Sequence, residues 1–445
     1  MSAAGANGRQ AARRALRNFV SLLGGRAVGG ALALAATLIS ARQLGPEGFG
    51  LIALVHAYTL IVRGLVNVKP FEAIIRYGVP LLERDDRAGL GRLLRACLRI
   101  DCASALTATA VAQIGVAVMT RGGLWPESFA PVAHGYCLWL LFMGQATASG
   151  ALRLFDRFDA ISLALVLGNG LRLAGVLVAG FALDPSVAAF ATVWAISQIV
   201  QYLATQVLGW RVAVARVGGE HLRGGVRLAA IGVAHPGIWH FMHVVYWQST
   251  LDLVAKPLGT VLAGALLGAE GAAMFRIARE FANVVAKPAL LARQAIYPDL
   301  ARLRHHGDAA FTRLILGAAL LLGLPALAVT LASLWFGGPL LGLALGTEYV
   351  RAAELLSWLI GGATLELAGA ALRPASYTLG RARESLAVQV LGALAFVGVF
   401  WVLTPLVGLS GPGIATVVLY AIMLCGTALI VRRALTHAGS AATAG

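Results

Sequence analysis

Charge is what this 445-residue chain has least of: Asp, Glu, Lys and Arg together make up 13% of it, against roughly 25% in an average soluble domain. A water-soluble globule is excluded. Long polar stretches are missing too, since the longest segment between apolar runs spans about 30 residues around 69–100. That leaves no room for a large soluble catalytic domain, and it excludes a disordered chain. Cysteine is scarce. Cys97, Cys102, Cys137 and Cys425 lie in or beside apolar segments without metal-ligand spacing, so buried thiols are expected rather than a disulfide or zinc site.

What is abundant is apolar side chain, at 59% of residues with a mean hydropathy of +0.79. Apolar runs of about 20 residues, the length that crosses a bilayer core, recur from residue 18 to residue 432. Reading between charged and Pro/Gly-rich breaks predicts twelve helical spans: 18–40, 49–68, 101–120, 131–152, 160–182, 186–209, 237–266, 272–297, 313–336, 349–372, 387–407 and 412–432. The expected fold is therefore an all-α integral membrane protein. Arg9, Arg13, Arg14 and Arg17 resemble the basic start of a signal peptide, but the run that follows is longer than a signal core and lacks a clear cleavage site. An uncleaved first span is expected.

The net charge of +16 would suggest nucleic acid in a soluble protein, but its distribution points elsewhere. With the N-terminus cytoplasmic, the inside segments hold 25 Lys and Arg and the outside segments only Arg42 and Arg121. Most of the positive charge is thus an orientation signal, placing both termini inside and offering no case for a nucleic-acid partner.

Leu44-Gly45-Pro46-Glu47-Gly48 is echoed 223 residues later, half the chain, by Leu267-Gly268-Ala269-Glu270-Gly271. Both copies join the first and second helices of a six-helix half. An even number of spans per half makes the repeats parallel, related by an axis along the membrane normal, as in transporters whose two lobes rock about a central site. The expected organisation is a basic tail (1–17), a first lobe (18–209), a cytoplasmic linker (210–236), a second lobe (237–432) and a second tail (433–445).

A charged side chain at the bilayer centre costs about 2.5–3.5 kcal/mol on insertion scales, so such groups normally face protein or a wet cavity. In the eighth span Arg276, Arg279, Glu280, Asn283, Lys287 and Gln294 stay within about 60° of one line at 100° per residue. The stripe runs about 27 Å, nearly the thickness of the hydrocarbon. In the second span His56, Thr59, Arg63 and Asn67 also share one face, and Arg63 displaced by the repeat falls next to Lys287. Arg26 and Arg172 add cations in the first and fifth spans. Local pairs compete with a cavity role: Glu280 lies four residues after Arg276, and Asp252 four before Lys256. On balance Arg26, Arg63, Arg276, Arg279 and Lys287 are expected to attract an anion, for which Arg donors suit phosphate. His56, Asn67, Arg172, Gln198, Gln201, Glu280 and Asn283 are expected to line the cavity. Gln198, Gln201 and Thr205 could equally bond between helices. His240 and His243 read as interfacial, while Glu366 and Asp252 are candidates for ion coupling.

The segment 42–50, the polar-striped span after it, and Ala73-Ile74-Ile75-Arg76-Tyr77-Gly78 resemble the start of the polysaccharide transporter family of the MOP flippase superfamily. So do Leu267-Gly268-Ala269-Glu270-Gly271, Tyr297-Pro298-Asp299-Leu300 and Gly380-Arg381-Ala382-Arg383. That family includes O-antigen and exopolysaccharide flippases, with multidrug-and-toxin extruders and the lipid II flippase as relatives. The resemblance implies two six-helix bundles carrying an undecaprenyl-pyrophosphate-linked oligosaccharide from the inner to the outer leaflet of the bacterial cytoplasmic membrane by alternating access. It implies no cofactor. Its partners would be membrane lipids and the polymerase or export machinery of lipopolysaccharide assembly. The lipid II flippase pattern puts basic residues at Arg26, Arg63 and Arg276. His56 and Lys287 on the same stripes, and Asp252 with Lys256, depart from that pattern, so ion coupling does not carry over. Three alternatives compete: a small-molecule exporter of the extruder type, a membrane ligase or polymerase, and a non-transporting assembly scaffold. External segments of only about ten residues argue against the enzyme.

Overall fold

The computed structural model describes the backbone of residues 3–68, 70–123, 125–182, 184–225, 228–303 and 308–443. Its side chains are described between Gly24 and Thr436, apart from 248–249, 251–256 and several positions between 290 and 308. Asp252, Lys256 and Gln294 fall outside the described side chains. Among the described residues every regular element is helical.

The first half runs α1 (Ala3–Val66), α2 (Phe71–Glu83), α3 (Arg87–Arg121), α4 (Ala130–Cys137), α5 (Ala146–Leu154), α6 (Phe158–Phe181) and α7 (Val187–Val217). The second runs α8 (Leu228–Ala234), α9 (Ile238–Leu303), α10 (Asp308–Leu345), α11 (Ala353–Ala368), α12 (Leu372–Thr378), α13 (Ala382–Val407) and α14 (Ser410–Thr443). Nine helical stretches are long and apolar enough to cross a membrane, or ten if α8 and the start of α9, bent by 105°, count as one more. Their outer faces stay apolar: Leu343 is 83% and Trp335 76% exposed. Such surface has no place in water and suits contact with acyl chains.

The first two expected spans form one continuous α1, and the seventh and eighth form one continuous α9, each broken at a single glycine. Gly45 has φ 66° and ψ 178°; Gly268 has φ 74° and ψ −170°. This corner of backbone space is essentially closed to residues with a Cβ. The chain folds back there. Ser40 Oγ accepts from Trp194 Nε1 at 3.2 Å, while the His56 ring lies 5.3 Å from the same Trp194. Sixteen residues of straight helix would hold those two positions about 24 Å apart. At the second elbow a Cβ on Gly259 would meet the Phe275 ring at 2.6 Å, again across sixteen residues.

The repeat extends well beyond the elbows. The two special glycines are 223 residues apart, as are the starts of α4 and α11 and those of α7 and α14. The fourth helix of each half is interrupted: α4 passes through a 3₁₀ turn, Leu138–Phe142, before α5, and α11 stops at Gly369 before α12. Each is followed by a turn with positive φ, at Asp156 (57°) and at Gly380 (75°). The fourth span therefore comes as two pieces where one run, 131–152, was expected.

By internal contact the chain divides into Met1–Leu44 with Val55–Leu258, and Gly45–Leu54 with Gly259–Gly445. In the first unit, Leu90, Leu93, Leu94 and Cys97 of α3 share a core with Ile74, Leu154, Val217, Ile231, Ile238 and Met242. The segment expected as a linker thus supplies Ile231 to that core, and the beginning of α9 packs there as well. In the second unit Phe275, Phe396 and Phe400 form an aromatic cluster, with centroids 5.9 and 5.5 Å apart. The first elbow belongs to this unit, where a Cβ on Gly50 would stand 1.9 Å from the Ala269 carbonyl oxygen of the second elbow.

All four cysteines are free: Cys97 and Cys137 are buried, but Cys102 and Cys425 are exposed. The expectation of four buried thiols is corrected for those two, whose helix positions face outward.

Candidate functional site

The stripe on the second rod of α1 faces inward: His56, Thr59 and Asn67 are buried and Arg63 is half-buried. Its neighbours organise around Trp194, 1% exposed on α7. The Arg172 guanidinium lies 4.8 Å over that ring. Arg172 Nε donates to Ser197 Oγ at 3.0 Å and its Nη2 to Gln198 Oε1 at 2.8 Å. His56 Nδ1 shares a hydrogen bond with the Tyr136 hydroxyl at 2.8 Å. Three of the expected lining residues, His56, Arg172 and Gln198, are therefore brought together in one buried network in the first unit. Gln201 is half-buried against Gly168, where an added Cβ would sit 2.5 Å from its own Cβ.

Arg63 is held differently. Its guanidinium stands 5.4 Å from the centroid of Tyr202, which stacks on Trp139 at 5.5 Å and 13°. Its Nε is buried and has no hydrogen-bond partner. A buried donor left unpaired costs about 1–3 kcal/mol, more when charged, and calls for an explanation. Arg26 lies exposed on α1, one residue past Gly25, which α6 approaches closely at Ser162.

In the second unit the stripe on α9 begins inside and emerges. Met274 and Phe275 are buried, Arg276, Arg279 and Glu280 are half-buried, and Asn283 and Lys287 are exposed. Arg276 Nη2 pairs with Glu280 Oε1 at 2.8 Å, so the local pair foreseen as a competitor is formed. Arg276 Nε remains buried without a partner. Arg279 lies 5.8 Å from the Phe275 centroid and within electrostatic reach of Tyr420, Arg276, Glu280 and Glu366. Glu366 opens onto a cavity of about 30 Å³, space for roughly one water, at the break between α11 and α12, shared with Arg373, Ser385, Gln389 and Tyr420. Ser385 is fully buried, and its Oγ has no partner. Among the described residues no group of His, Cys, Asp and Glu is arranged to hold a metal ion.

Sequence reasoning missed Arg153, which counted only toward orientation because it sits just past an expected span. It lies at the end of α5, half-buried, with its guanidinium 4.5 Å over the Phe71 ring and its Nε unpartnered. A hydrophobic-run reading gives such a span-end arginine no weight. Trp194 and Tyr202, the rings that hold Arg172 and Arg63, were also unmarked, since aromatic residues in an apolar helix carry no periodic signal of their own.

This arrangement, twelve rods in two parallel repeats with arginines held over aromatic rings, is the architecture of a polytopic transporter. The solved structures it resembles agree. A MATE-family multidrug resistance transporter of the MOP superfamily, in an inward-facing conformation, is 16% identical with a TM-score of 0.72, covering 91% of this chain and 95% of that one. The lipid II flippase MurJ, in an inward closed conformation, is 11% identical with a TM-score of 0.70, over 92% and 87%. A MOP superfamily transporter from Pyrococcus furiosus is 16% identical with a TM-score of 0.61, over 95% of both chains. The fold is that of the MOP-superfamily transporters. In sequence, the inner membrane protein YghQ of Escherichia coli (strain K12) is 27% identical over 350 residues, 77% of this chain and 96% of that protein. No family model matches the chain.

Proposed function

We propose that the chain is a flippase of the bacterial cytoplasmic membrane, moving a polyprenyl-pyrophosphate-linked oligosaccharide outward for surface polysaccharide assembly. The observation that carries this reading is the pair of unpartnered guanidinium nitrogens on Arg63 and Arg276, one on the polar stripe of each half. Half-buried arginine presenting a free donor in a low-dielectric setting attracts phosphate strongly. Arg26, Arg279 and Lys287 add to that field, and Asn283 lies beside them on the exposed end of the stripe. The similarity in fold to a lipid II flippase supports a lipid-linked cargo, and the similarity to YghQ supports the inner membrane. Both termini lie on the cytoplasmic side, as the 25-to-2 division of basic residues requires. The two lobes alternate access, with Glu366, beside its water-sized cavity, as the acid that takes up a coupling ion.

Replacing Arg63 or Arg276 by alanine is expected to abolish surface glycan export while the protein stays inserted and abundant, measured by immunoblot of membranes alongside surface polysaccharide. Normal export in both variants refutes the assignment. Export of cationic drugs is the competing reading, and it is weakened by the excess of basic over acidic groups on the two stripes.

A further inference from the structure

The fourth helix of each half is broken at a corresponding place, and paired interruptions of this kind mark binding sites in repeat-built transporters. In the first half the break is held open by its neighbours. Asp101 of α3 accepts from the Thr147 backbone N–H at 2.6 Å in the first turn of α5, and Gln206 of α7 donates to the Gly144 carbonyl. The short helix α5 is thereby fixed independently of α4, and Arg153 stands in its last turn.

Arg153 carries a charge its surroundings do not neutralise. Arg26 repels it and Glu72 attracts it, which leaves two cations to one acid. Phe71 on α2 supports the guanidinium face at 4.5 Å, a contact that orients the group without consuming its donors. Its Nε, buried and unpartnered, has no acceptor among the described residues. A rigid fork with an idle donor, beside a second arginine, matches a phosphate oxygen pair.

Resting on the flippase reading, we propose that Arg153 and Arg26 form a diphosphate-binding pair in the first unit, with Arg153 as the positioning arm. The shared ligand chemistry is a diphosphate, from a lipid headgroup or free in solution. The test uses the full-length protein in lipid nanodiscs and measures binding of two probes, polyprenyl pyrophosphate in the bilayer and inorganic pyrophosphate. Arg153→Ala and Arg26→Ala are each expected to weaken binding of the lipid probe about tenfold or more and to flatten its salt dependence. Arg153→Lys should restore part of the loss by keeping the charge but not the fork. Arg87→Ala, which removes an exposed arginine already paired with Asp85 at 3.0 Å, should bind as wild type. Loss of the lipid probe alone assigns the site to a headgroup; loss of both assigns it to diphosphate from either source.

Wild-type binding by Arg153→Ala, an equal loss in Arg87→Ala, or no binding of either probe by the parent protein each overturns the pair. Should Arg153→Ala misfold, Arg153→Gln, which keeps most of the stem over Phe71, takes its place, with the melting temperature followed in parallel. A lower melting temperature with unchanged binding makes Arg153 a strut between α2 and α5 and overturns the proposal. Glycan export by Arg63→Ala is scored separately, so the pair can fall while the flippase reading stands, and the reverse.

Discussion

At the scale of single residues, the buried arginines divide by what their donors do. Arg172 spends Nε and Nη2 on Ser197 and Gln198 and lays its face on Trp194. It is satisfied, and acts as a cross-brace between α6 and α7. Removing it strands two acceptors and uncovers a buried ring. Arg172→Ala is therefore expected to cost about 1.5–3 kcal/mol of stability, the range for hydrogen bonds to a charged group. Thermal unfolding of the purified protein in detergent measures it. Arg172→Lys should not recover the loss, because one ammonium cannot reach both acceptors in the geometry of the fork; full recovery by lysine would make the interaction one of charge alone. Arg63, Arg153 and Arg276 keep an idle Nε, which is why their loss is predicted to register in binding and export rather than in folding.

Among the elements, the elbows and the broken fourth helix carry the argument. Gly268 has open space around the position of an added Cβ, so Gly268→Ala tests backbone strain alone and is expected to cost about 1–3 kcal/mol. Gly50→Ala is a different matter, because its Cβ would stand 1.9 Å from the Ala269 carbonyl oxygen, a backbone atom that must move. A much larger loss of folded protein is expected there, read as the monodisperse fraction on size-exclusion chromatography. Similar yields for the two variants would mean the elbows are not in contact. At the fourth span, Asp101→Ala removes the carboxylate capping Thr147 and should cost about 1 kcal/mol. Asp101→Asn, which keeps an acceptor, should cost less, and equal melting temperatures for the two would deny the cap.

For the whole molecule, orientation is the testable quantity. A fluorescent protein fused after the last residue is expected to fluoresce and an alkaline phosphatase fusion to be inactive, since the first matures in the cytoplasm and the second outside it. The opposite pattern reverses the topology and with it the direction of transport. The repeat is also a property of the whole chain. A five-residue echo at 223 residues was readable because both copies need glycine at the same backbone corner, and the same spacing recurs at helix starts that share no sequence.

How far the sequence could be read follows from these particulars. The apolar runs, the direction of the polar stripes and the Gly45–Gly268 correspondence were legible, because bilayer thickness, helical periodicity and glycine's freedom act locally. The interruption of the fourth span was not, since Asp101, Gln206 and the 3₁₀ turn meet only when α3 and α7 pack around it. Nor were the fates of Arg63 and Arg172. Both are arginines in apolar helices and look alike in one dimension, yet one is saturated by neighbours 25 and 26 residues away while the other is left with a donor to offer. The sequence by itself determined that this is a membrane protein of two equivalent halves, since hydrophobic length and residue spacing suffice for that. Only tertiary packing decided which charges are consumed within the protein and which remain open, because a hydrogen bond needs its partner's position as well as its identity.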